Sequence, residues 1–587
     1  MDFIRSWLND ALRLQRRWKL LTARKLLYLP HILSHKEKRM LLYIILVIVV
    51  AGGGLFIRTY LYFTHPAPAV GGSYTEGVIG APRSINPLYI SRDAERDIAH
   101  LVFSGLLGYD GAGEITYDLA ERYDVSPDGK IYTLYLRQNA LWHDGKPVTA
   151  DDVVFTVKRL QDPQYKSPFR ANWQGVEPEK IDDHTVKLTL RTAYAPFIEN
   201  LTQGIIPKHL WGEITPDRML LHELNLNPVG SGPYRLKRFK YDNDGSLLWY
   251  TVTRNPDYWG DGPYLKEITF VFYAGEDALL NALHRGEIEG FGPISVRNTE
   301  DISRDRYAVL TLATPRIFSV FFNQRQSPAL ADKSVREAIA YALDKSRVVR
   351  EVGGGAIVTD SLLPPFQGTP SESKAPLPYD PTQARKLLDR AGWKDTDEDG
   401  IRDKKIRQNN KLQSVPLRWT LATGDSPELT HAAEAIKLML ADIGIEVSVA
   451  SHSFADLEAT VIRPRSFEML LFGQVYGYEP DPFTFWHSTQ IKDPGLNVAL
   501  FTNKKADQLL EEARRTTSTT LRRQKYAAFA KLADADIPAV PLYTQLYLYL
   551  LPRDINGVEI SRMALPSDRF NGIQSWYRVT RRALGRQ

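Results

Sequence analysis

Residues 395–403 read Asp395-Thr-Asp397-Glu-Asp399-Gly400-Ile-Arg-Asp403, the spacing of a calcium loop. Oxygen ligands stand at positions 1, 3, 5 and 9, with glycine at 6 for the sharp turn; the bidentate acid expected at position 12 is missing, since Ile406 stands there. Calcium held by Asp395, Asp397, Asp399 and Asp403 is one reading, and an Asp/Gly surface turn leading into a basic strand is the other. No further spacing carries recognisable chemistry. The chain has no G-x-S-x-G, no phosphate-binding P-loop, no H-E-x-x-H and no dinucleotide fingerprint. Gly230-Ser231-Gly232 precedes Pro233 and reads as a turn. The cysteine count is zero, which excludes disulfides, thiolate metal sites, cysteine nucleophiles and lipid anchors on cysteine. An enzyme is therefore not expected, and calcium is the one ion the pattern admits. Recognition remains: 29 Tyr and 11 Trp suggest a surface or cleft that meets something amphipathic.

The elements that would position such a cleft are mixed. Ile131–Leu136 alternates as a strand after the turn at 124–129, and Thr185–Leu190 is a second strand. Thr149 with Asp152 forms a capping box at the head of a helix. Helices are expected over 335–343, 381–391, 432–443, 506–515 and 521–532, and strands around 230–236, 249–254 and 447–449. Scattered strands among helices predict an α/β protein of two or more lobes built from discontinuous segments.

The 587 residues carry a net charge of +5, unevenly placed. Residues 1–39 hold ten Lys or Arg against three acids, a surplus of seven, so the remainder is slightly acidic. That argues against nucleic acid as a partner. Met40–Ile57 is an uncharged run of 18 residues between Arg39 and Arg58. As a helix it spans about 27 Å, close to the hydrocarbon thickness of a bilayer. A cleaved signal peptide is the rival reading, disfavoured by the long basic region and the lack of a clean small-x-small site. The basic tail sets the N-terminus in the cytoplasm and the bulk of the chain outside. Residues 3–29 carry Ile4, Trp7, Ala11, Leu14, Trp18 and Leu21 at helical spacing. They read as an amphipathic membrane or docking helix, or equally as a solvated basic tail. Thr64–Gly72 reads as a Pro/Ala/Gly linker.

Several collinear motifs then converge. Leu119-Ala-Glu-Arg-Tyr123, Pro127-Asp-Gly129 and Tyr132-Thr-Leu-Tyr-Leu-Arg137 precede Leu141-Trp-His-Asp-Gly-Lys-Pro-Val-Thr-Ala-Asp-Asp-Val-Val-Phe155. Asn227-Pro-Val-Gly-Ser-Gly-Pro-Tyr234, Asn255-Pro-Asp-Tyr-Trp-Gly260, Val335-Arg-Glu-Ala-Ile-Ala-Tyr-Ala-Leu-Asp344, Ala391-Gly-Trp393, Asp481-Pro and Trp486-His-Ser488 follow. Over about residues 74–575 the chain resembles the extracytoplasmic solute-binding proteins of family 5, the oligopeptide and dipeptide receptors of ABC importers.

The resemblance implies a two-lobed Venus-flytrap fold with an extra inserted domain, preceded here by one transmembrane helix. It implies lobe I at 74–117, 206–313 and 541–575, an inserted domain at 118–205 and lobe II at 314–540. The tail would then be 1–39, the membrane helix 40–57 and the linker 58–73. Function would be capture of a peptide-like solute for delivery to ABC permease subunits; a surface sensor or peptide-binding chaperone is the alternative. In peptide receptors of the family an Asp three residues before the Asp-Pro pair holds the ligand's amine through a charge-assisted bond. Here that position is Tyr478, in Gln474-Val-Tyr-Gly-Tyr-Glu-Pro-Asp-Pro482, with Glu479 beside it as a substitute acid. Tyr89, Trp142, Tyr476, Tyr478 and Trp486 are the aromatics expected at the cleft, and Asn323 the polar residue that would bond a peptide backbone.

Overall fold

The computed structural model describes residues 34–364, 377–408 and 411–585. The expected helix over 3–29 and most of the basic tail lie outside the described residues. The chain divides into two units, one of residues up to Ala69 together with those from Thr580, the other Val70–Val579.

In the smaller unit, Ser34 opens helix α1 (His35–Phe63) with a capping box: its hydroxyl accepts from the Glu37 N–H, and Glu37 accepts from the Ser34 N–H at 2.9 Å. The uncharged run lies inside α1, no side chain of which is buried, and α1 is long and apolar enough to cross a membrane. The expected linker is regular structure instead. Helix continues through Arg58 to Phe63, and strand β1 (Thr64–Ala69) pairs with the last strand, Val579–Leu584. Pro66 and Pro68 are two residues apart, so their missing N–H groups fall on one edge of β1 and leave the other free to pair. Arg582 donates to the Thr64 carbonyl at 3.1 Å and lies 5.9 Å from the Tyr60 ring centroid.

The larger unit runs, among the segments used below, through β2 (Ser73–Ile79), α2 (Asp93–Val102), β3 (Ala120–Val125), β4 (Ile131–Leu136), α3 (Ala150–Gln161), β5 (Val176–Asp182), β6 (Thr185–Leu190), β7 (Tyr234–Tyr241), β8 (Leu247–Arg254), β9 (Glu267–Tyr273), β10 (Gly290–Phe291) and β11 (Tyr307–Phe322). It continues through α4 (Lys333–Ala342), β12 (Ala356–Val358), β13 (Arg418–Gly424), α5 (Pro427–Ala441), β14 (Glu446–His452), β15 (Met469–Val475), α6 (Lys504–Arg515), α7 (Thr519–Asp536) and β16 (Ala539–Pro552). The alternation read from the sequence is real. β4 buries Tyr132, Leu134 and Leu136, and β6 buries Val186, Leu188 and Leu190. They form a four-stranded antiparallel sheet, β3-β4-β6-β5, beside α3, which starts on the expected Thr149–Asp152 box.

Among the described residues eleven further strands join in one sheet, ordered β14-β13-β15-β11-β16-β10-β2-β9-β8-β7, with β12 against β16. Two of them make the fold two-lobed. β11 and β16 run antiparallel from Tyr307↔Pro552 to Phe321↔Ala539, with an irregularity between Ala313 and Ile317. On one side of that break Leu312 and Tyr549 pack with the core around Tyr74, Ile98 and Phe270; on the other, Val320 and Val540 pack with the core around Ile339, Ile436 and Leu471. Pro315, at the break, cannot donate to the ladder. The expected α/β, two-lobed architecture is what the chain adopts.

The lobe that contains both ends of this unit is closed by one buried cation. Arg569 donates from Nη1 and Nη2 to both Asp97 oxygens, at 2.8 and 2.5 Å, and from Nε to Glu76 at 3.0 Å. Tyr549 and Tyr74 add their hydroxyls to Glu76. All five side chains are buried. β2, α2, β16 and the turn at 566–570 thus share one charge cluster. Removing the cation leaves two buried carboxylates uncompensated, so Arg569→Met is expected to cost about 3–5 kcal/mol of stability. Urea unfolding of the detergent-solubilised chain measures it; a loss below about 1 kcal/mol would contradict this reading.

Candidate ligand site

A cavity of about 450 Å³ opens where the lobes and the four-stranded unit meet. Phe103 and Asp118 line it from one side, Trp173 and Glu199 from the second, and residues 475–478 from the third. A second cavity, of about 440 Å³, is lined by Arg316, Phe472 and Tyr543 and shares Val475 with the first, so the two are neighbours at the end of β15. Such a concave, largely apolar space with a few polar groups is the usual form of a solute site.

The loop after β15 is held at four of its residues, Tyr476, Tyr478, Glu479 and Asp481. The Tyr476 N–H donates to the Pro315 carbonyl at 2.9 Å, tying the loop to the crossing point of β11. The Tyr476 hydroxyl donates to the Leu362 carbonyl at 3.1 Å and accepts from Trp486 Nε1 at 3.0 Å. Tyr478 lies against Tyr109, ring centroids 4.2 Å apart, and its hydroxyl accepts from Asn571 at 3.2 Å. Glu479 pairs with Arg522, and Asp481 with Arg514, whose Nε lies 3.0 Å from Oδ1. Both arginines come from the α6–α7 region, so these two acids are already neutralised within the protein.

Glu199 differs. Its Oε1 accepts from the Glu479 N–H at 2.6 Å and the Tyr109 hydroxyl at 3.3 Å, while Oε2 accepts no hydrogen bond among the described residues. Burial pushes its pKa up to about 7; the Glu479 N–H opposes that, and the charge of Glu479 adds to it. Asp118 is likewise raised to about 7 by burial, against hydrogen bonds from Ser104 and Gly105, and its Oδ1 is buried without a partner.

Of the residues expected at the cleft, Tyr476 and Tyr478 line the cavity. Glu479 stands next to it but is turned to Arg522. The others lie off the wall. Trp142 is buried with Nε1 3.4 Å from Asp152, inside the four-stranded unit. Trp486 is core, one shell behind Tyr476. Asn323 is consumed by local backbone, donating to the Arg465 carbonyl at 3.0 Å and accepting from the Arg325 N–H at 3.1 Å. Tyr89 is buried, its hydroxyl unpartnered and raised to about 12 by burial. All five aromatics are buried, as large rings favour, and three of them, Tyr89, Trp142 and Trp486, lie away from the cavity wall. Glu199, Asp118 and Tyr109 were not expected. A lone acid in Ala195-Pro-Phe-Ile-Glu-Asn200 has no motif around it; its one signal is a charge directly after an apolar run.

At the calcium-like loop, Asp395, Asp397 and Asp399 bring carboxylate oxygens within 4.8 Å of one another on the surface. Gly400, at φ +87°, makes the turn as expected. The fourth residue departs from the expectation: Asp403 accepts from Thr396 Oγ1 at 2.6 Å and Ser414 Oγ at 3.1 Å, because it begins a hairpin strand, 403–408 against 411–416. Arg418 also lies 3.7 Å from Asp399. Three exposed carboxylates make a site of millimolar strength at best. About 5 mM calcium is expected to stabilise the chain by about 1 kcal/mol over chelator, an effect lost in Asp397→Asn; equal melting temperatures would exclude calcium here.

With the geometry in place, the sequence comparisons identify the scaffold. Residues 114–495 match the model of the bacterial extracellular solute-binding proteins, family 5 Middle. The chain belongs to that family. Family 5 proteins are solute-binding receptors. The oligopeptide-binding protein AppA of Bacillus subtilis is 28% identical over 520 residues, 87% of this chain and 92% of that protein. The AppA structure, in complex with a nonapeptide, has a TM-score of 0.66 at 27% identity and covers 87% of this chain and 99% of that one. The ABC transporter substrate-binding protein CtaP of Listeria monocytogenes has a TM-score of 0.72 at 26% identity, covering 86% and 99%.

The raised Glu199 pKa has a consequence for stability. The unfolded carboxyl titrates near 4.5 and the folded one at about 7, so the folded state binds the extra proton between these values. Glu199 then destabilises the fold progressively as pH rises from about 4.5 to about 7. Glu199→Gln is expected to gain stability relative to the native chain between about pH 5 and pH 8, by up to about 3 kcal/mol. Urea unfolding at both pH values measures this; a pH-independent difference would contradict it.

Proposed function

We propose that this chain is a membrane-anchored extracytoplasmic receptor that captures peptide-like solutes between its two lobes and delivers them to ABC permease subunits. The observation that carries the reading is the cavity at the meeting of the lobes, walled by Tyr109, Trp173, Tyr476 and Tyr478. Its relative AppA holds a nonapeptide, which supports a peptide as the ligand. Capture needs no covalent chemistry: closure about the β11–β16 crossing buries the ligand, and reopening on the permease releases it. In this reading lobe I comprises 74–117, 206–313 and 541–575, lobe II 314–540, and 118–205 is the inserted domain.

Anchoring rests on α1. An apolar run of 18 residues with ten Lys or Arg before it favours a single span with the N-terminus in the cytoplasm. With no cysteine in the chain, this helix takes the place of a lipid.

Native mass spectrometry of the full chain in detergent tests the ligand. Peptides co-purifying with it, or bound on adding a random nonapeptide library, are expected; no peptide mass at any concentration would overturn the peptide reading. Protease added to intact cells is expected to digest everything after α1, and protection of the large unit would overturn the topology. Co-purification of permease subunits supports transport, and a chain that binds peptides but never associates with a permease supports the sensor or chaperone role instead.

A further inference from the structure

Resting on the receptor reading above, we propose that Glu199 is the cation anchor of this site, so that the ligands are peptides presenting an ammonium group to the cavity wall at residues 477–479. Four acids lie at or beside this wall. Glu479 and Asp481 are paired with Arg522 and Arg514. Asp568 lines the cavity but accepts from the Ala564 and Leu565 N–H groups at 2.8 Å each. Glu199 has no ion pair among the described residues, and its Oε2, beside Gly477, accepts no hydrogen bond there.

The surroundings offer no protein cation to complete it. Arg96 lines the same cavity but is paired with Asp93 at 2.9 Å. Burial lowers the pKa of His100, against the pull of Asp568 and Asp97. Arg562 spends its guanidinium on the Tyr478 carbonyl at 3.3 Å. A half-buried carboxylate held by two hydrogen bonds and lacking a counter-charge is disfavoured in its charged form. A ligand ammonium beside it would remove that cost and form a charge-assisted bond. The geometry around Oε2 suits this. A Cβ on Gly477 would lie 2.5 Å from Oε2, so the carboxylate abuts the loop at the residue before Tyr478. The Tyr109 and Tyr478 rings lie together beside it, tilted by 37°, and can face a cation. Tyr478 itself supplies no charge, and Glu479 faces Arg522, so the acid that serves this stretch of wall reaches it from the segment Ala195–Thr202.

Ammonium can come from a peptide's N-terminus or from lysine. Four nonapeptide libraries separate these sources: free or N-acetylated, each with or without lysine. They are presented to the full chain in detergent and to Glu199→Gln, and read by native mass spectrometry with competition. The native chain is expected to prefer at least one ammonium-bearing library over the acetylated, lysine-free one by about tenfold or more, and Glu199→Gln to bring the libraries within about twofold. Continued binding of the neutral library by the variant shows that it is folded. If the native chain binds all four equally, or the variant keeps the preference, the assignment of Glu199 is wrong while the receptor reading stands. If no library binds the native chain, the receptor reading itself fails.

Discussion

The structure depends on a buried charge cluster whose chain neighbours Arg96, His100 and Asp568 line the cavity. Arg569 reaches Asp97 across 472 positions of sequence and Glu76 across 493. A lobe assembled from segments far apart in the chain must fix its ends together, and the cost of an unpaired buried charge favours the matched arrangement. The cluster also engages Tyr549 on β16, one of the two strands that cross between lobes. The lobe, its closing turn and the crossing strand are therefore set by one guanidinium.

That strand also leads to the ligand site. β16 and β11 pass from one core to the other, and the ladder between them breaks at Ala313–Ile317. The carbonyl of Pro315, inside the break, accepts from the Tyr476 N–H. The loop that walls the cavity thus hangs from the point where the strands cross. In the proposed reading, rotation there would move residues 475–478 against Asp118 and Glu199, the closure a solute receptor uses. Arg522 and Arg514 hold the far side of the loop and pair with two of its acids, whereas Glu199 on the facing wall has no ion pair among the described residues.

Much of this was legible in local patterns. The alternation at 131–136 and 185–190, the box at Thr149–Asp152 and the apolar run at 40–57 each carry their cause within a few residues. Collinear motifs identified the family. What stayed hidden depends on contacts distant in sequence. β11 contains Pro315, which argues against a strand, and only pairing with β15 and β16 makes it one. Thr64–Ala69 looks like linker until Val579–Leu584 pairs with it. Asp403 looks like a metal ligand until Ser414 on the facing strand claims it. Trp142, Asn323 and Trp486 have the side chains a cleft uses, but their neighbours are core groups and local backbone. Glu199 has no local signature at all, since its role comes from Gly477 and Glu479 some 280 positions away.

The central claim is that solute is held between the lobes by both walls at once. Hydrogen–deuterium exchange of the full chain, with and without saturating nonapeptide library, tests it most directly. The account predicts simultaneous protection of 105–109, 196–204 and 475–479. Protection confined to one lobe, or none at these segments while peptide is bound, would contradict it.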